Sequence, residues 1–199
     1  MQLMRTLPHE ETVAPGDHVE VLDYEKAVSL VEAQKQFAVG ICSCRHEKSH
    51  LGLKKCDVPL ESCTSMGNSA SHLVRRQLAR PIEKSEMLDR LTQARDMRLV
   101  MNADNVQSGV SFMCLCCGCC CNMLLGISQL GYPHTLVTSN YLATSEDAIC
   151  DGCLKCKTAC PIKAISLERL AEPAGKKKAR PVVDESICLG CGVCALACT

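Results

Sequence analysis

Large aromatic side chains are almost missing from this sequence: no tryptophan, two phenylalanines and three tyrosines in 199 residues. A chain of that length with so little aromatic bulk has trouble filling a conventional core. Long apolar runs are missing as well. No stretch approaches the roughly 18 uninterrupted apolar residues of a membrane span. Met1 to Glu11 holds no apolar run that could serve as a signal peptide. The expected location is therefore the cytoplasm. Phosphate-binding loops, dinucleotide fingerprints and flavin signatures are absent, which speaks against independent catalysis. Neither sign of charge is in excess, since 22 Lys and Arg balance 22 Asp and Glu.

What the sequence has instead is cysteine, eighteen in all or about nine per cent. That level belongs to small disulfide scaffolds or to metal proteins. In a reducing compartment, dense cysteine spacing points to metal or redox work. Eight of the cysteines fall in two equal runs. The first is Cys150, Cys153, Cys156 and Cys160, followed by Pro161. The second is Cys188, Cys191, Cys194 and Cys198. Each reads C-x2-C-x2-C-x3-C, the bacterial ferredoxin run for a cubane [4Fe-4S] cluster. In two-cluster ferredoxins the fourth cysteine of a run ligates the other cluster. By that rule Cys150, Cys153, Cys156 and Cys198 hold one cluster, and Cys188, Cys191, Cys194 and Cys160 hold the other. Structural zinc is the competing reading. Zinc knuckles pair C-x2-C with a distant second pair, which two equal four-member runs fit poorly.

Bound clusters change the composition argument. They act as cross-links and as part of the interior, so the metal-free C-terminal part is expected to be largely unfolded. An oxidised cluster with four thiolates also carries a charge of about −2. Two of them make the loaded protein acidic, and nucleic acid becomes an unexpected partner.

The doubled run resembles the two-cluster ferredoxin family over Cys150 to Cys198. The resemblance implies an α+β sandwich with pseudo-twofold symmetry, two halves of about 38 residues each built from a cluster loop, a short helix and a strand. Thr199 stands where that family has proline after the fourth cysteine, and the sequence stops there. The closing strand is therefore expected to be missing and the chain to be a truncated fragment.

Ten cysteines remain. Cys42, Cys44, Cys56 and Cys63 read C-x-C-x11-C-x6-C. Four thiols so close in sequence can close one cubane or one tetrahedral zinc site, and Gly52, Pro59 and Gly67 suit the turns required. His46 and His50 lie nearby and read as surface residues. Cys114, Cys116, Cys117, Cys119, Cys120 and Cys121 form a knot. Adjacent cysteines point in different directions, so all six are not expected to serve one cluster. Four could be ligands with two spare, or ligands could be shared with the Cys42 to Cys63 group to make two clusters. The composite pattern is similar to a family of Cys-rich prokaryotic iron–sulfur proteins. Its marks here are Cys42 to Cys63 with Arg45 and Pro59, the knot, Ser139 to Tyr141, and the terminal ferredoxin run. That resemblance covers about residues 20 to 199 and implies electron transfer in anaerobic metabolism. Cys116, Cys117 and Gly118 also look like the CCG motif of heterodisulfide-reductase-type subunits, without its second copy.

Periodicity gives a coarse architecture: α+β, with a mainly helical Cys-rich region over residues 1–146 and a two-cluster domain over 147–199. Helices are expected from Asp23 to about Phe37, Ser69 to Ala79, Glu83 to Met97 and Asn122 to Leu130, the last closed by Gly131. Pro81 is read as a helix breaker. Ala38 to Ile41 reads as a strand and Arg45 to Lys55 as a polar loop. Ala164 to Leu167 and Pro181 to Val183 are short strands. Glu168 to Arg180 between them reads as an exposed hairpin loop carrying Lys176, Lys177 and Lys178.

The leading functional expectation is an electron carrier or relay subunit that works with a partner oxidoreductase. Lys155 and Lys157 flank Cys156 and could raise that cluster's potential. One alternative is an iron–sulfur enzyme with chemistry at the Cys114–Cys121 knot. Another is a redox-sensing regulator whose Ser69 to Met97 helices, with Arg75, Arg76 and Arg80, meet DNA.

Overall fold

The computed structural model describes residues 2–14, 26–106, 108–146, 148–174 and 177–198. The expected helix start at Asp23, the boundary at Asp147, and Gly175, Lys176 and Thr199 lie outside them.

The protein is α+β. Its N-terminal part is built on a six-stranded sheet, which corrects the expectation of a mainly helical region. The strands are β1 (Met4–Leu7), β2 (Phe37–Ile41), β3 (Glu61–Met66), β4 (Ala79–Ile82), β5 (Val100–Asp104) and β6 (Phe112–Cys116). Their order is β1-β5-β6-β3-β2-β4, and every pairing is antiparallel. Pro81 does not break a helix. It sits in β4 at the sheet edge, where a missing N–H costs no ladder bond.

Side chains alternate across the sheet. Met101, Ala103, Met113 and Leu115 face one core, which also holds Phe37, Val39 and Met66. Against it pack α1 (Ala27–Glu32) through Val31 and α4 (Lys84–Asp96) through Met87, Leu91 and Ala94. Methionine and short aliphatic side chains thus fill the place that aromatics leave. The opposite face carries Val100, Cys114 and Cys116, and packs against α5 (Asn122–Leu130) through Leu124 and Ile127. Gly131 closes α5 in the left-handed region, φ 69°, as the sequence suggests.

Arg45 to Lys55 was expected as a loop. Instead α2 (Ser43–His50) starts one residue after Cys42. Helix α3 (Gly67–Arg75) is shorter than its expected span because the chain turns at Gln77 into β4. Arg80 pairs with Glu61 at 2.8 Å and Glu86 at 2.7 Å, so its charge is already engaged within the sheet region.

The C-terminal part holds α6 (Lys155–Ala159), a hairpin of β7 (Ile165–Ala174) and β8 (Lys177–Val183), and α7 (Val193–Leu196). The expected hairpin is there, with strands that run further into Glu168 to Arg180 than the sequence suggests. This part shares a core with the cysteine-bearing face of the sheet, through Ile162, Ala164, Leu189 and Val193. The His9 N–H donates to the Cys191 carbonyl at 3.1 Å and the Ser139 N–H to the Leu189 carbonyl at 3.0 Å. Among the described residues no helix is long and apolar enough to cross a membrane.

Candidate metal centres

The ten N-terminal cysteines do not sort as their sequence groups do. Cys56 leaves Cys42, Cys44 and Cys63 and joins the knot. It lies in the connection between α2 and β3, and its Sγ stands 3.6 Å from that of Cys117 and 3.9 Å from that of Cys120. Cys119 and Cys120 are 3.5 Å apart. All four ligand atoms lie within 4.8 Å of one another. A tetrahedral ion with metal–sulfur bonds of about 2.3 Å sets its thiolates ~3.8 Å apart. A cubane puts each thiolate on its own iron and spreads them further. The spacing of Cys56, Cys117, Cys119 and Cys120 therefore suits one ion of zinc type.

The protonation balance fits a cation there. Burial pushes the Cys56 thiol up, but the Val58 amide and the thiols of Cys117, Cys119 and Cys120 outweigh it and leave it lowered. Burial and neighbouring thiolate charge push Cys120 up. A bound cation would displace the remaining thiol protons, because the ligating form of cysteine is the thiolate.

The other six form a ring. Cys63 on β3 and Cys114 on β6 are directly opposed in register, and Cys116 follows on the same face of β6. Cys42 caps the start of α2 and Cys44 sits in its first turn. Cys121 caps the start of α5. Cys42 is pushed up by the neighbouring Cys44 thiol and by burial. Cys121 is pushed up to about 12, first by Cys116 and against the opposing effect of Cys44. Cys116 in turn is raised chiefly by Cys114. All six line one cavity of about 90 Å³.

Arg45 lines the same cavity and is 2% exposed. It donates to the Ser62 hydroxyl at 2.6 Å and to the Leu115 carbonyl. Burial opposes its charge, while Cys117, Cys42 and Cys116 favour it. Its electrostatic partners are cysteines of both N-terminal groups; among the described residues no carboxylate bridges it. His46 and His50 are exposed on α2, their Nε2 atoms 3.1 Å apart, as the sequence reading had them at the surface.

The C-terminal runs fold into two loops with matching backbones. Gly152 and Leu154 have φ 75° and 65°; Gly190 and Gly192, at the same places in the second run, have 65° and 79°. Alternation of left- and right-handed residues aims successive N–H groups at one point and makes an anion-binding concavity. Leu154, which is not glycine, holds this conformation against its usual preference. Cys156 is raised by burial and by the charges of Cys150 and Cys198. Burial pushes Cys191 up to about 12 against the Val193 amide, with Cys194, Cys160 and Cys188 adding to the rise. Each fourth cysteine therefore lies within electrostatic reach of the other run. The Ala164 N–H donates to Cys160 Sγ at 3.2 Å.

Gly118 connects the knot to this part. A Cβ there would stand 2.6 Å from the Pro161 carbonyl oxygen and 2.9 Å from its Cα. That close approach gives the glycine of Cys116-Cys117-Gly118 a packing role beside Cys160. Gly118→Ala should force the two backbones apart and lower the stability of the metal-loaded protein by about 1–3 kcal/mol, read as a fall in unfolding temperature. An unchanged temperature would mean that the contact is not held in solution.

Residues 149–199 match the family model described as the 4Fe-4S dicluster domain. No curated protein and no solved structure matches the chain. The C-terminal part is thus a ferredoxin-type domain, of a kind that binds [4Fe-4S] clusters and serves iron–sulfur electron transfer.

Proposed function

We propose that this protein is an electron relay, a carrier or a subunit of an oxidoreductase, working in the cytoplasm in anaerobic metabolism. It takes single electrons from a low-potential donor protein and passes them to a partner oxidoreductase. The observation that carries this reading is the dicluster match over residues 149–199, on two loops whose backbones repeat the same left-handed positions. Two [4Fe-4S] clusters are held there. Cys150, Cys153, Cys156 and Cys198 ligate one; Cys188, Cys191, Cys194 and Cys160 ligate the other. Residues 147–199 form the dicluster unit and residues 1–146 a second Cys-rich unit. Together they fit the wider Cys-rich prokaryotic iron–sulfur family.

The clusters supply the redox chemistry when bound. The chain's own residues hold and tune them. The thiolates would bind iron and the loop N–H groups would face the cluster, while the Ala164 N–H donates to Cys160 Sγ and so draws electron density from that ligand. Ile162, Leu189 and Val193 keep water from the second site. No side chain acts as acid, base or nucleophile. Cys56, Cys117, Cys119 and Cys120 hold one zinc-type ion that fixes the knot against the sheet.

The test is reductive titration of the anaerobically purified full chain. Dithionite should bleach the visible absorbance with about one electron per cluster, and a one-electron acceptor should restore it. A chain that takes up iron but cannot be reduced and reoxidised would sink the relay reading.

A further inference from the structure

The ring of Cys42, Cys44, Cys63, Cys114, Cys116 and Cys121 remains outside both the dicluster loops and the tetrathiolate at Cys56. We propose that its cavity is a third iron–sulfur cluster site, held by the opposed pair Cys63 and Cys114 with two more of the six thiols, and with Arg45 as its buried counter-charge. The proposal rests on the reading of this chain as an iron–sulfur protein and adds a centre to it.

Three observations carry it. The first is size. A water needs about 10–15 Å³ of cavity space, whereas this cavity holds about 90 Å³. That is room for a polynuclear core, in contrast to the closed spacing at Cys56. The second is the donor set. Every ionisable group lining the cavity except Arg45 is a thiol, and soft thiolates select iron–sulfur clusters, zinc or Cu(I) over hard cations. The third is Arg45. A guanidinium buried without an anionic partner is strongly unfavourable. Arg45 lines this cavity, is 2% exposed, and bonds the Ser62 hydroxyl and the Leu115 carbonyl, with no carboxylate beside it among the described residues. A bound cluster with its thiolates would supply the net negative charge that faces it.

The fold explains how thiols distant in sequence converge. Alternation on β6 sends Cys114 and Cys116 to the face opposite Met113 and Leu115. Antiparallel register brings Cys63 across from Cys114. The starts of α2 and α5 then bring Cys42, Cys44 and Cys121 to the same cavity, with helix N-termini that favour negative charge.

The test uses the full chain, reconstituted with iron and sulfide without oxygen. Wild type should bind about twelve irons, four for each of three clusters. The double variant Cys63→Ser/Cys114→Ser should fall to about eight and lose one of three reduced-cluster EPR signals. Hydrogen exchange at α1 and α4 reports whether the sheet is still folded. Arg45→Met gives a readout independent of iron count. One signal should move to more negative potential while the other two stay, and Arg45→Lys should restore it. Wild type with only eight irons and two signals would overturn the proposal while leaving the dicluster reading intact. So would a folded double variant that keeps all three signals, or an Arg45→Met variant with no shift. Loss of all iron from wild type would instead strike the dicluster reading itself.

Discussion

Stripping iron from the protein is expected to unfold its C-terminal part while the sheet survives. The helices there are too short to stand alone, and a lone two-stranded hairpin such as β7–β8 is marginal in water. Helix α6 has five residues and α7 has four, whereas isolated helices below ~12–15 residues are marginal in water. Both start from a left-handed residue, Leu154 at φ 65° and Gly192 at φ 79°. Without a cluster, the concavity that those residues shape has nothing to bind, and its converging N–H groups lose their partner. The shared core of Ile162, Ala164, Leu189 and Val193 is small. The other core is larger, and Leu7, Val31, Met66, Met87 and Met113, which fill it, ligate no metal. Removal of a bound ligand present at 1,000 times its dissociation constant costs about 4 kcal/mol. Amide protection over residues 149–198 should therefore fall by about 10³-fold or more after chelation, while α1 and α4 keep theirs. Equal protection with and without metal would contradict the account.

The second large effect concerns which cysteines belong together. Cys198 lies within electrostatic reach of Cys156, and Cys160 within reach of Cys191. If the fourth ligand crosses over, a pair of substitutions that strikes one cluster differs from a pair that strikes two. Cys153→Ala/Cys198→Ala should abolish one of the two C-terminal four-iron EPR signals and spare the other. Cys153→Ala/Cys160→Ala should abolish both. Cooperation within one cluster makes the first pair strongly non-additive, and independence makes the second pair additive. The opposite pattern would show that each run serves its own cluster.

The ferredoxin part was legible because its ligands are local. Three cysteines of each cluster lie within seven residues, so spacing alone encodes the site. The helices Lys84–Asp96 and Asn122–Leu130 were legible because their apolar residues recur at helical period and Gly131 marks the end. The sheet was not. Its strands are four to six residues long, and β3 reads Glu-Ser-Cys-Thr-Ser-Met, polar yet buried. Thr64 donates to the Met113 carbonyl there, and Arg45 to Ser62, so polarity that signals a loop is satisfied inside. The alternation Met113, Cys114, Leu115, Cys116 is a strand pattern, but cysteine counted as ligand hid it. The N-terminal ligand sets failed to follow the sequence groups for the same reason. Sheet register, not spacing, brings Cys63 to Cys114, and the connection after α2 delivers Cys56 to Cys117 and Cys120.

The most direct measurement of the central claim is iron and acid-labile sulfide per chain in the anaerobically purified protein, with EPR during stepwise reduction. The account expects at least eight irons with matching sulfide, four per C-terminal cluster (about eight in all for those two). Reduction should produce signals that Cys156→Ala and Cys191→Ala remove separately. Zinc in place of iron at Cys150–Cys198, or no iron after oxygen-free reconstitution, would contradict it.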